Sequence, residues 1–154
     1  MALKRSVIID TKVKARLQTI TVANGYHTNL GNNIYVWRAT RAQDYAEAEL
    51  PAANIMDISD AVLNEEMAGS LNVWDRELTV KIKLICKDIA TYRSAVADVY
   101  KAFNTPDDTF DGNVITTSEQ ADETDVDEDE ITLLGGEITI KALYRTNRYA
   151  EDLT

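Results

Sequence analysis

"RELTVKIKLIC", residues 76–86, is the stretch whose reading decides the fold. Leu78, Val80, Ile82, Leu84 and Cys86 alternate with Thr79, Lys81, Lys83 and Ile85. Successive side chains leave a strand on opposite faces. One face here is therefore wholly apolar and the other mostly polar, so one side is expected to be buried and the other wet. The apolar side needs a second layer to cover it.

The flanking segments can supply that layer. Residues 6–23 place Ile9, Val13, Leu17 and Ile20 at the spacing of one helix face, with Lys12, Lys14 and Arg16 on the others. Ser6 is a candidate N-cap, with Asp10 as its competitor, and Asn24-Gly25 offers a left-handed exit. Downstream, Asp88 is placed as an N-cap. Ile89, Tyr92, Val96, Val99 and Phe103 trace a second helical stripe behind it, which Asn104 and Pro106 end.

Further strands are expected at "IYVWR" (34–38), "AANIMDI" (52–58) and, more briefly, "NVITT" (113–117). In the closing "ITLLGGEITIKALYR" (131–145), Gly135-Gly136 between two alternating runs predicts a hairpin turn. The order predicts an α+β, two-layer sandwich: a mostly antiparallel sheet with two amphipathic helices packed on one face. The chain of 154 residues suits a single domain, 1–154, with an acidic insertion or loop at about 104–130.

That insertion holds the charge. The net charge is −10, yet between Lys101 and Lys141 there is no Lys or Arg and there are 12 acids. The rest of the chain holds 16 basic and 14 acidic residues. The densest part, "EQADETDVDEDE" (119–130), has eight acids in twelve residues. Like charges repel and disfavour packing, so a solvated loop is one reading and a negative surface with a purpose is the other.

Asp125, Asp127 and Asp129 match the opening of a calcium loop, but Glu130 stands where its glycine belongs and Gly136 where its bidentate Glu belongs. No EF-hand follows, and only loose cation binding stays open. The one cysteine, Cys86, excludes an internal disulfide and the paired-cysteine zinc patterns. It fits a reducing, cytoplasmic origin. On the apolar face of its strand it reads as a small core residue. "MALKRSVIID" lacks the apolar length of a signal peptide, and no apolar run approaches membrane-spanning length.

His27, the only histidine, lies in "ANGYHTNLG". A catalytic histidine needs a nucleophile or carboxylate within reach and a third group to orient it. No G-x-S-x-G element is present, so His27 reads as a solvated turn residue. Gly25 and Gly31 match neither phosphate-binding pattern and read as turn positions. Lys4, Arg5, Lys12, Lys14 and Arg16 make one modestly basic helix surface, which a −10 chain would bring to nucleic acid only against repulsion. No cofactor is expected.

Taken in order, "LQTITVANGYHTNLG", "NIYVWR", "ELPAANIMD", "LTVKIKLIC" with its helix, and "GEITIKALYRTNRY" resemble the tail terminator or tail-completion proteins of long-tailed bacteriophages. The resemblance spans most of the chain and is weakest over 104–130. It implies a structural virion protein of the head–tail joining region rather than an enzyme. Such a protein forms a homo-oligomeric ring, typically a hexamer, that caps the tail tube at its head-proximal end. The tube protein would lie on one side, a neck or stopper protein on the other, and viral DNA would pass through without sequence-specific binding. It would be assembled in the host cytoplasm, without a membrane. Two alternatives stand beside it: another neck component, such as a stopper or connector-completion protein, and a cation-binding or adaptor module using the acidic segment.

A cyclic ring needs two different patches that meet head to tail. Lys81, Lys83 and an exposed Ile85 are one candidate patch, with Asp44, Glu47 and Glu49 as its complement. A channel crossed by DNA favours carboxylates, which repel phosphate over about 8 Å at physiological salt. Glu119, Asp122, Glu123, Asp125, Asp127, Glu128, Asp129 and Glu130 are the candidate lining or rim.

Overall fold

The computed structural model describes residues 5, 7–38, 45–63, 73–104, 116–126 and 134–147. The strands are β1 (Ile34–Val36), β2 (Ala52–Val62), β3 (Val73–Cys86), β4 (Thr116–Val126) and β5 (Leu134–Asn147). Among the described residues they form one five-stranded sheet in the order β1-β2-β3-β5-β4. Every pairing is antiparallel except β1 with β2, which is parallel. The expected α+β sandwich is what the chain adopts.

The first helix, α1, combines a π-wound stretch, Val7–Val13, with an α-helical stretch, Lys14–Gln18. The π winding brings residues five apart onto one face. Ile8 therefore joins Val13 in the core, beside the expected Ile9 and Leu17. The helix stops at Gln18, before the expected end at residue 23. Ile20 is buried from beyond the helix end. A 3-10 turn, Val22–Asn24, then exits through Gly25 at φ 81°.

The second helix, α2 (Ile89–Phe103), starts as expected at Asp88, whose carboxylate accepts from Thr91 N at 2.8 Å. Tyr92, Ala95, Val99 and Ala102 are buried, whereas Ile89 stays outside the stripe and is exposed.

The two helices cover the face carrying Leu78, Val80, Ile82, Leu84 and Cys86 of β3 with Ile138, Ile140, Ala142 and Tyr144 of β5. The opposite face is held by cross-strand ion pairs: Asp75 with Arg145 (2.7 Å), Glu77 with Lys141 (2.7 Å) and Lys81 with Glu137 (2.5 Å). Ile85 corrects the expectation of a wholly wet face. It is fully buried, because Tyr45 packs on it with Ala52, and Tyr35 and Leu50 pack beside them.

Two further expectations fail. Gly135 and Gly136 are not a hairpin turn but lie inside the continuous strand β5, opposite Ile85 and Leu84. The acidic segment is not all loop. Its first part extends the expected short strand into the eleven-residue edge strand β4, with a register shift between Glu119 and Ala121.

Candidate functional site

The sheet has two unlike edges. One is β4, where Glu119, Asp122, Glu123 and Asp125 hold register positions against Ile140, Ile138, Glu137 and Gly135. Asp127, Glu128, Asp129 and Glu130 lie outside the described residues, as does Asp44.

The other edge is built from β1, β2 and Arg5, which precedes α1. β1 pairs only with Ala53, Asn54 and Ile55. Beyond it, the β2–β3 register shifts between Asp57 and Ser59, and Ile58 stands out of the ladder, exposed. Arg5 closes on this point. Its Nε donates to the Asp57 carboxylate and its Nη2 to the Asp57 backbone carbonyl at 3.2 Å. The other Asp57 oxygen accepts from Trp37 Nε1 at 2.6 Å. Trp37 was expected to continue the strand. Instead it leaves it with φ 51°, the left-handed region that a bulky side chain rarely occupies, and it is 58% exposed.

Beside Trp37, Arg38 is bidentate to Glu49, at 2.8 and 3.1 Å. Its guanidinium lies 4.2 Å from the Tyr35 ring centroid and 4.7 Å from that of Tyr45. Glu49 also accepts from the Ala46 backbone N–H at 2.8 Å. The Arg38 bond above all, then the Ala46 bond, pull its carboxyl down to about 2. Glu47 pairs with Lys87, which holds its carboxyl below the usual range. Glu47 and Glu49 are therefore each paired with a cation of their own chain, and Ile85 lies beneath Tyr45. Lys81 is bridged to Glu137 on that same face. Lys83 stands opposite Glu137 in the register.

Further along β2, Asp60 is nearly buried between two donors. Tyr144 Oη donates at 2.6 Å and Arg76 Nε at 3.1 Å. Burial first, then the Asp60 bond, raise the Tyr144 phenol above its ordinary value.

His27 lies in a turn, as expected, with its side chain 68% exposed. It is nonetheless tied down. Asp98 of α2, fully buried, faces His27 Nδ1 at 2.8 Å. The same carboxylate accepts from the backbone N–H groups of His27 and Thr28 and from Thr28 Oγ1, at 2.8–3.1 Å. Burial alone would raise the Asp98 carboxyl, but these donors outweigh it and hold it below its ordinary value. Sequence reasoning missed Asp98, although an acid six residues after Tyr92, on the apolar side of α2, was a legible signal. Burial pushes the Cys86 thiol up to about 12, so it sits in the core as the neutral thiol. Among the described residues no group of His, Cys, Asp or Glu is arranged to hold a metal ion, and no helix is long and apolar enough to cross a membrane.

The chain is similar in fold to a chain of a virion. That solved structure is the virion of a native gene transfer agent particle, and the match has a TM-score of 0.57 at 13% identity. It covers 90% of this chain and 95% of that one, so the two share a whole fold rather than a motif. No protein-family model and no curated protein matches the sequence.

Proposed function

We propose that this protein is a structural component of a phage-type virion: a tail terminator that assembles as a ring, caps the head-proximal end of the tail tube and joins it to the neck. The observation that carries this reading is the near-complete mutual coverage with a chain of the gene transfer agent virion. The order of sequence elements that resembles tail terminators supports it. A hexamer, with tube protein on one side and a neck or stopper protein on the other, is the assembly this reading implies. It needs no catalytic step.

The acidic segment 119–130 is proposed to stand at the channel or its rim. Its first part belongs to edge strand β4, and residues 127–130 lie outside the described residues. Lys81 and Lys83 remain proposed contacts on the open face of β3, with Glu47 and Glu49 as acids at its covered end. Ile85 leaves that patch because it is buried.

Negative-stain imaging of the purified chain mixed with tail tubes tests the reading. The expected result is rings with a central hole, seated on one end of each tube. Tubes with bare ends, at protein concentrations far above those of the tube subunit, would overturn it.

A further inference from the structure

We infer that residues 45–50 form a strap that lifts off the open face of the sheet while the sandwich stays folded, with Arg38 as its latch. The strap switches Ile85 between a covered and a solvent-facing state, whether or not the chain forms a ring.

The strap covers a satellite of apolar side chains rather than the main core. Tyr45 packs with Ile85 and Ala52, and Tyr35 and Leu50 lie beside them, apart from the core under the helices. The ladder gives Ile85 little cover of its own. Its cross-strand neighbours are Ala52 and Gly135, a methyl group on one side and no side chain on the other. Tyr45 thus sits where the sheet face is low. No backbone bond of the sheet holds the strap there. Among the described residues, the backbone hydrogen bonds of 46–50 stay inside the strap: Glu49 N–H donates to the Ala46 carbonyl at 2.8 Å and Leu50 N–H to the Glu47 carbonyl at 3.2 Å. The Ala46 N–H donates to the strap's own Glu49 carboxylate. Lifting the strap therefore breaks no rung of the ladder, which is the condition for opening locally rather than globally.

What ties the strap down is side-chain chemistry at the surface. Arg38 holds Glu49 through two bonds and sets its guanidinium against both Tyr35 of β1 and Tyr45 of the strap. The Arg38 backbone is itself fixed. Fully buried Asn54 accepts from the Arg38 N–H and donates to the Arg38 carbonyl, both at 2.9 Å. The latch thus belongs to the sheet and its catch to the strap. The two charged side chains are 31% and 30% exposed, and the second tie, Glu47 with Lys87, is more exposed still. Ion pairs in that setting are weak and are screened by salt. The core under the helices is held by apolar burial, which such screening does not reach. The strap is therefore the part that opens first. In the open form, the face that carries Lys81 and Lys83 gains the Ile85 side chain.

Thiol labelling of the full, folded chain tests this. Cys86, buried on the helix-covered side of β3, reports opening of the sandwich in the wild type. Ile85→Cys combined with Cys86→Ala moves the thiol to the opposite face of the same strand, under the strap. Circular dichroism confirms that the variant is folded. The thiol at position 85 is expected to react with a disulfide reagent at least about a hundredfold faster than Cys86, at a rate that urea below the unfolding transition leaves unchanged. Adding Glu49→Gln, or about 1 M NaCl, should speed it about threefold or more. Ile138→Val, in the core under the helices, should speed labelling of Cys86 and leave the thiol at position 85 unaffected. Hydrogen exchange at the Glu49 and Leu50 amides makes the same comparison on the unaltered chain. Labelling at position 85 as slow and as urea-dependent as at Cys86, with strap amides that exchange only on global unfolding, would overturn the strap. Fast labelling that neither Glu49→Gln nor salt changes would overturn Arg38 as its latch.

Discussion

Tyr92 occupies the space where Gly136 lacks a side chain. A Cβ built on Gly136 would lie 2.0 Å from Tyr92 Oη and 2.6 Å from Cζ. The glycine is thus what lets the first turn of α2 seat on β5. Gly136→Ala is expected to destabilise the fold by about 2–3 kcal/mol, as overpacking does. Tyr92→Ala alone should cost about 3 kcal/mol. The double variant should cost clearly less than the sum, because each change relieves the other. Urea unfolding of the four proteins gives the cycle, and strict additivity would show that the two residues do not compete for space.

The Asp98 cluster separates structural from chemical roles for His27. Asp98→Ala leaves two backbone N–H groups and a hydroxyl without their acceptor and should cost about 3 kcal/mol. His27→Ala removes only the ring contact and should cost no more than about 1 kcal/mol. Denaturation midpoints measure both, and equal losses would contradict the arrangement.

Acid sensitivity follows from the carboxyls. Glu49 is pulled down to about 2 when folded, and Asp88 and Asp98 are also lowered. A carboxyl lowered on folding contributes stability that is present above its unfolded value, about 4.3 for Glu. That contribution is lost as pH falls through the folded value. Urea midpoints should therefore decline from about pH 4.5 down towards pH 2. Glu49→Gln should be less stable than the wild type at pH 7 and decline less steeply on acidification. An unchanged acid limb would show that the Arg38 pair contributes nothing.

At the far end of the sheet, Arg76 balances the nearly buried Asp60. Arg76→Leu strands that carboxylate and should cost about 3–4 kcal/mol. Tyr144→Phe removes one neutral donor and should cost about 1 kcal/mol. Thermal or urea unfolding checks the ranking, which reverses if the phenol rather than the guanidinium is what holds Asp60.

Much of the fold was legible because its signals are local. The alternation of Leu78 to Cys86 marked a buried strand face, and the Asp88 cap with its stripe marked α2. Both are set by residues a few positions apart. Exposed Ile89 and the π-wound start of α1 were not legible, since periodicity assumes a regular helix and a known neighbour. The acidic edge strand was read mostly as loop because its residues have low strand propensity. Pairing along β5 overrides that propensity.

The sequence by itself determined which faces are apolar, where the helix α2 begins, that Cys86 lies inside and that the negative charge sits in one segment. These depend on spacing and composition alone. Only the tertiary structure decided the parallel placement of β1, the covering of Ile85 by Tyr45, the seat of Tyr92 on Gly136, the anchoring of the His27 turn by Asp98 and the sharing of Asp57 by Trp37 and Arg5. Each of these joins segments far apart in the chain. Their chemistry exists only once packing has chosen which surfaces meet.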